Sequence, residues 1–141
     1  MLEFEKKLFL SKEEYTKLLQ QKNEGSVTIV QKNHYYDSDT FEMNRLGITC
    51  RIREKNGKYK ATIKAHQSKE SECSIETSKA VLNENDDSLF KNLNIKYQGS
   101  LITHRTILYS KNGIKVVLDE NTYLDFKDYE LEIEYTLERA D

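Results

Sequence analysis

Residues 48–66 read ITCRIREKNGKYKATIKAH, two runs of strict alternation on either side of Asn56-Gly57. That dipeptide readily adopts positive φ at both positions, which closes a two-residue type I′ hairpin whose twist suits the strands it joins. The stretch therefore predicts two antiparallel strands. Ile48, Cys50, Ile52, Tyr59, Ala61 and Ile63 fall on one face, and Arg51, Arg53, Lys58, Lys60, Thr62 and Lys64 on the other.

The same hairpin signal recurs at Asn112-Gly113 inside LITHRTILYSKNGIKVVLD, residues 101–119. Alternation also marks LEFEKKLFL (2–10), interrupted at Lys6, and DYELEIEYTL (128–137), while SVTIVQKNHYY (26–36) and SECSIETS (71–78) have strand composition. Ser11 followed by Glu14 is a capping box, and Tyr15, Leu18 and Leu19 at helical spacing predict a helix over 12–21. A turn or short helix is expected around Ser38–Asn44, and a short helix over DDSLFKNL at 86–93. With no proline and five glycines in 141 residues, regular elements should be long. Seven or eight strands with two short helices make a mainly β (α+β) chain, its antiparallel sheet closed into a barrel or stacked as a sandwich.

A chain of this length is expected to form one domain, residues 1–141. A charged fraction of 33% with a pI near 6.0 excludes the uniformly basic footprint of a general nucleic-acid binder. No run approaches the ~20 apolar residues that span a bilayer, and the first residues lack a signal peptide, so a cytoplasmic protein without a membrane partner is expected. Cys50 and Cys73 have no histidine or second cysteine at ligand spacing and read as free buried thiols. His34 and His104 are isolated and read as structural or surface residues.

Splitting every strand by parity gives a second face that is charged almost throughout. It carries Glu3, Glu5 and Lys7; Arg51 and Arg53; Lys58, Lys60 and Lys64; Glu72 and Glu76; Arg105; Lys115 and Asp119; and Glu130, Glu132 and Glu134. A solvated face normally mixes signs, yet the last three glutamates stand in a row ~7 Å apart, and Arg51 and Arg53 do likewise. Such rows repel more strongly when enclosed. They suit partners of opposite sign, a divalent metal for the carboxylates and phosphate for the bases. If this face points inward, the apolar face must be covered from outside, and the chain has little helix for that. Lys58, Lys60 and Glu72 fit a solvated hairpin surface and are left out of the expected site.

Taken together the residues resemble the CYTH group of triphosphate tunnel metalloenzymes, which includes class IV adenylyl cyclases, thiamine triphosphatases and inorganic triphosphatases. The resemblance rests on E-x-E-x-K at Glu3–Lys7, YYDS at Tyr35–Ser38, R-x-R at Arg51 and Arg53, Lys64, Glu76, Arg105, Asp119 of VVLD, and ELEIE at Glu130–Glu134. It implies a closed eight-stranded antiparallel barrel with a few short covering helices. It further implies Mg²⁺ or Mn²⁺ on Glu3, Glu5, Glu130, Glu132 and Glu134, with Lys7, Arg51, Arg53, Lys64 and Arg105 gripping phosphate. Glu76 and Asp119 would orient the attacking water. The implied function is metal-dependent hydrolysis of a small triphosphate: inorganic tripolyphosphate, thiamine triphosphate or a nucleotide. The alternatives are a class IV cyclase making cyclic AMP from ATP and a non-catalytic binding module. Two departures stand out. Thr103 occupies a position where several members have lysine, leaving His104 or Lys115 to supply that contact, and bacterial members continue into further helices that this chain is expected to lack.

Overall fold

A computed structural model describes residues 2–22, 26–68 and 71–137. Its strands are β1 (Leu2–Leu10), β2 (Val27–Asp37), β3 (Ile48–Lys55), β4 (Lys58–His66), β5 (Cys73–Val81), β6 (Lys96–Lys111), β7 (Ile114–Tyr123) and β8 (Phe126–Leu137). Helices α1 (Lys12–Leu19) and α2 (Glu42–Arg45) are short, and the helix expected over 86–93 is a single 3₁₀ turn, Ser88–Phe90. The strands close in the order β1-β5-β4-β3-β2-β6-β7-β8, every neighbouring pair antiparallel. Of the two arrangements the patterning allowed, the barrel is the one formed.

Both Asn-Gly turns form as read: Asn56 and Gly57 take φ of 53° and 73°, and Asn112 and Gly113 take 55° and 78°. The capping box also forms, with Glu14 N–H donating to Ser11 Oγ at 3.1 Å and Ser11 N–H to Glu14 Oε1 at 2.9 Å. Asp37 of the YYDS stretch has a local task. Its carboxylate accepts from the backbone N–H groups of Ser38, Met43 and Asn44, which fixes the approach to α2.

The apolar core lies outside the barrel. Tyr36, Cys50, Ile52, Ala61 and Phe90 are buried together, with Met43, Leu89, Leu93 and Ile95 packed on them. The β2-β3-β4 wall is thus covered mainly by the irregular segment that includes Ser88–Phe90, which resolves how a chain with so little helix shields that face. Burial pushes the Cys50 thiol up to about 11, so it stays protonated and inert. Around β7 and β8 the cover is α1, whose Tyr15 ring stacks 4.7 Å from that of Tyr129. The outer face of β1 and β8 is less covered: Phe4, Ile133 and Tyr135 are 38%, 41% and 40% exposed.

The β7–β8 turn places Leu124 at φ 54° with 91% of its surface exposed. A left-handed conformation costs a branched residue ~1–2 kcal/mol, and no packing is lost on trimming this side chain. Leu124→Gly should therefore raise stability by up to ~1 kcal/mol after the entropy cost of glycine is subtracted, measured by urea denaturation.

Candidate active site

Alternation around a closed barrel sends one face of each strand inward, and here that face is the charged one. The enclosed cavity measures about 250 Å³ and is lined by every residue expected at the site: Glu3, Glu5, Lys7, Arg51, Arg53, Lys64, Glu76, Arg105, Asp119, Glu130, Glu132 and Glu134. At ~30 Å³ per water it has the volume of roughly eight waters, small beside typical organic-ligand pockets. Ile52, between the two arginines, packs in the outer core.

The carboxylates are not equivalent. Single oxygens of Glu3, Glu5 and Glu134 lie within 4.8 Å of one another, close enough to share one cation. Lys64 Nζ donates to Glu3 and, at 2.9 Å, to Glu5, whose other oxygen lies 3.3 Å from Lys7 Nζ. Glu132 instead accepts from Arg105 Nη2 at 3.3 Å, and Glu130 from Asn121 Nδ2 at 2.5 Å. The sequence grouped all five glutamates as one ligand set. The barrel brings three of them to one point and ties the other two to separate partners. An all-oxygen carboxylate cluster fits a hard divalent ion such as Mg²⁺ or Mn²⁺.

Burial pushes Glu3 up to about 7 against the pull of Lys64, with Glu5 and Glu134 adding to the rise. Glu132 is raised to about 8, by burial first and then by the charge of Glu5, with Arg105 and Lys7 opposing. For Glu5 burial works upward too, but Glu132 as a donor and the charges of Lys64 and Lys7 win and hold it well below the usual carboxylate range. One proton is thereby retained between neighbouring carboxylates, as like charges in an enclosed space require.

On the basic side, Asp119 holds Arg105 in a two-pronged grip, from Nε at 2.9 Å and Nη2 at 2.8 Å. Asp119 is consequently committed to an arginine, and Glu76 is the freer carboxylate. Burial raises Glu76, but Arg51, then Glu3 as a donor, and Lys64 and Lys60 bring it below its ordinary value. Arg53 donates from Nε to Asn33 Oδ1 at 2.7 Å. Burial and the charges of Arg51 and Arg105 push it down to about 10, a guanidinium short of anions. Arg51 Nε is buried with no hydrogen-bond partner.

Several lining residues were not expected. Gln31, Asn33 and Tyr35 make β2 a neutral polar wall, and Asn121, Lys55, Lys60 and Lys115 also face the cavity. Lys60 corrects its assignment to the hairpin surface; Lys58 and Glu72 are exposed, as read. Parity already put Lys60 and Lys115 on the inward face, and only their nearness to the turns argued for solvent. At the lysine-to-threonine departure, Thr103 donates to Asn121 Oδ1 at 2.6 Å, while Lys115 lines the cavity and His104 is exposed.

The sequence matches the CYTH domain family across residues 1–140. A Bacillus subtilis (strain 168) protein named "Putative triphosphatase YjbK" is 34% identical over 148 residues, 94% of this chain and 77% of that protein. A structure described as a "putative adenylate cyclase" from Bacillus halodurans superposes with a TM-score of 0.74 at 26% identity, covering 96% of this chain and 81% of that one. HpAC1 from Hippeastrum, described as having a dominant triphosphatase activity, superposes at 0.69 with 17% identity over 96% of this chain and 80% of its own, a likeness of fold alone.

Proposed function

This chain belongs to the CYTH domain family, and from that membership and the geometry of its cavity we propose that it is a divalent-metal-dependent hydrolase of a small triphosphate. The observation that carries the reading is the division of one enclosed cavity into a carboxylate trio, Glu3, Glu5 and Glu134, and guanidinium groups at Arg51 and Arg53 that no carboxylate engages. The similarity to a protein named as a triphosphatase supports it.

Glu3, Glu5 and Glu134 would hold Mg²⁺ or Mn²⁺, which when bound neutralises phosphate charge. Glu130 and Glu132 complete the acidic wall, each fixed by its own partner. Arg51 and Arg53 grip phosphate oxygens as planar forks, and Arg105, held by Asp119, offers its remaining Nη1 hydrogens. Lys7 and Lys64 add point charges. Glu76, ionised beside Arg51, is the residue placed to orient a water for attack in line with the terminal phosphorus, and Asp119 acts through Arg105. The protein's contribution is positioning and charge, with no covalent intermediate on the chain.

The test is product analysis. Tripolyphosphate, thiamine triphosphate and ATP are incubated with Mn²⁺ or Mg²⁺ and scored for phosphate, pyrophosphate and cyclic AMP. Phosphate release is expected; pyrophosphate with cyclic AMP would replace hydrolysis by the cyclase reading, which the Bacillus halodurans description favours. Arg51→Ala or Arg53→Ala should weaken triphosphate binding by ~1.5–3 kcal/mol, and Lys58→Ala should leave it unchanged, by titration calorimetry. Equal losses at all three would contradict the assignment of faces.

A further inference from the structure

Five cations on the cavity wall have no ion-pair partner among the described residues: Arg51, Arg53 and Lys55 on β3, Lys60 on β4 and Lys115 on β7. Alternate residues on a strand lie ~7 Å apart, so the β3 members form a ladder about 13 Å long that runs from the interior to the Asn56-Gly57 hairpin. Lys60 stands opposite Arg53 in register. Lys115 enters at the same end of the barrel, two residues beyond the Asn112-Gly113 hairpin; Glu134 faces it in register without forming an ion pair. The mouth beside these two hairpins is therefore ringed by lysines. The Lys55 ammonium is lowered by burial and then by Lys115, Arg53, Lys60 and Arg105, all cations.

Arg51 and Arg53 suffice for the inner phosphates, which leaves three lysines in line beyond them. A purine or thiamine ring at this mouth would need a face to stack on. The only aromatic and aliphatic side chains lining the cavity are Tyr35 and Leu101, and both sit on the β2–β6 pair toward the other end. The chemistry at the mouth suits more anionic charge and no ring.

We propose that Lys55, Lys60 and Lys115 form a subsite for the outward end of a linear polyphosphate longer than three phosphates, whose inner end lies at Arg51 and Arg53. The inference rests on the triphosphate reading given above and adds chain length as the property this protein selects.

The test is calorimetric binding, without divalent metal and at low salt, of tripolyphosphate, a linear polyphosphate of about 15 units and ATP. Wild type is compared with a Lys55→Gln/Lys60→Gln/Lys115→Gln variant whose melting temperature is checked first. Three exposed pairings together correspond to about tenfold in affinity. Wild type should bind the long chain about tenfold more tightly than tripolyphosphate, with no such gain for ATP. The triple variant should lose that preference while binding tripolyphosphate within about threefold of wild type, and the preference should shrink as salt rises. Absence of any length preference in wild type, an equal loss for both phosphates, or a gain for ATP equal to that of the long chain would overturn the subsite. A wild type that binds none of the three would sink the triphosphate reading itself, a different failure from these.

Discussion

Glu132→Gln is expected to cut Mn²⁺-dependent phosphate release at least about 10²-fold, the scale of losing one group that stabilises charge at a reacting centre. The metal-free variant should nevertheless match wild type at pH 5 and be roughly 1–3 kcal/mol more stable at pH 8. Glu3 and Glu132 have folded values near 7 and 8, above their ordinary 4.5. Stability from groups raised in this way is present below the ordinary value and is lost as pH climbs through the folded one. Metal-free wild type should thus weaken between about pH 5 and pH 8. Glu5 acts in the opposite direction, since it is held low: its contribution is present above the ordinary range and disappears in acid. Glutamine keeps an N–H for Glu5 and an oxygen for Arg105 but carries no charge, so it relieves the repulsion without breaking the network. Melting curves at both pH values, with and without Mn²⁺, check this beside the release assay. A variant that melts lower at pH 8 while retaining turnover would refute it.

Asp119→Ala should do the reverse. It strips Arg105 of its two-pronged partner in the barrel interior, where both groups are nearly inaccessible. Breaking a buried pair from one side costs ~3–5 kcal/mol because the remaining charge is left desolvated. At roughly 3–4 °C per kcal/mol for a chain of this size, the melting temperature should fall by about 10–15 °C. An Arg105→Met/Asp119→Leu double variant removes both charges and should lose less than Asp119→Ala. Additive losses in the two single variants and the double one would mean the pair is not coupled.

These two outcomes separate glutamates that strain the fold for function from an aspartate that supports it. That difference was not legible in the sequence, which presented all of them as inward-facing carboxylates on alternating strands. Parity put each on the correct face because the period of a strand is strictly two. Which carboxylates converge depends on the stagger between β1 and β8, where Glu5 pairs with Glu134 and Lys7 with Glu132, and on the tilt of the closed sheet. Neither is written in local pattern. Asn-Gly gave away two hairpins, whereas the third turns on Leu124-Asp125, a pair with no turn signature. The start of β6 at Lys96 was missed because a polar stretch with Gly99 hides the alternation that becomes plain from Leu101. Gln31, Asn33 and Asn121 escaped notice because the site was sought by charge, and buried amides orient charges without carrying any.

The metal-dependent hydrolysis of tripolyphosphate by wild type and Glu5→Gln, in Mn²⁺ and in excess chelator, tests the central claim most directly. Glu5 joins the carboxylate trio to both lysines, so the account predicts phosphate release by wild type with Mn²⁺ only and a loss of at least about 10²-fold in the variant. Release that persists in chelator, or that survives Glu5→Gln unchanged, would contradict it.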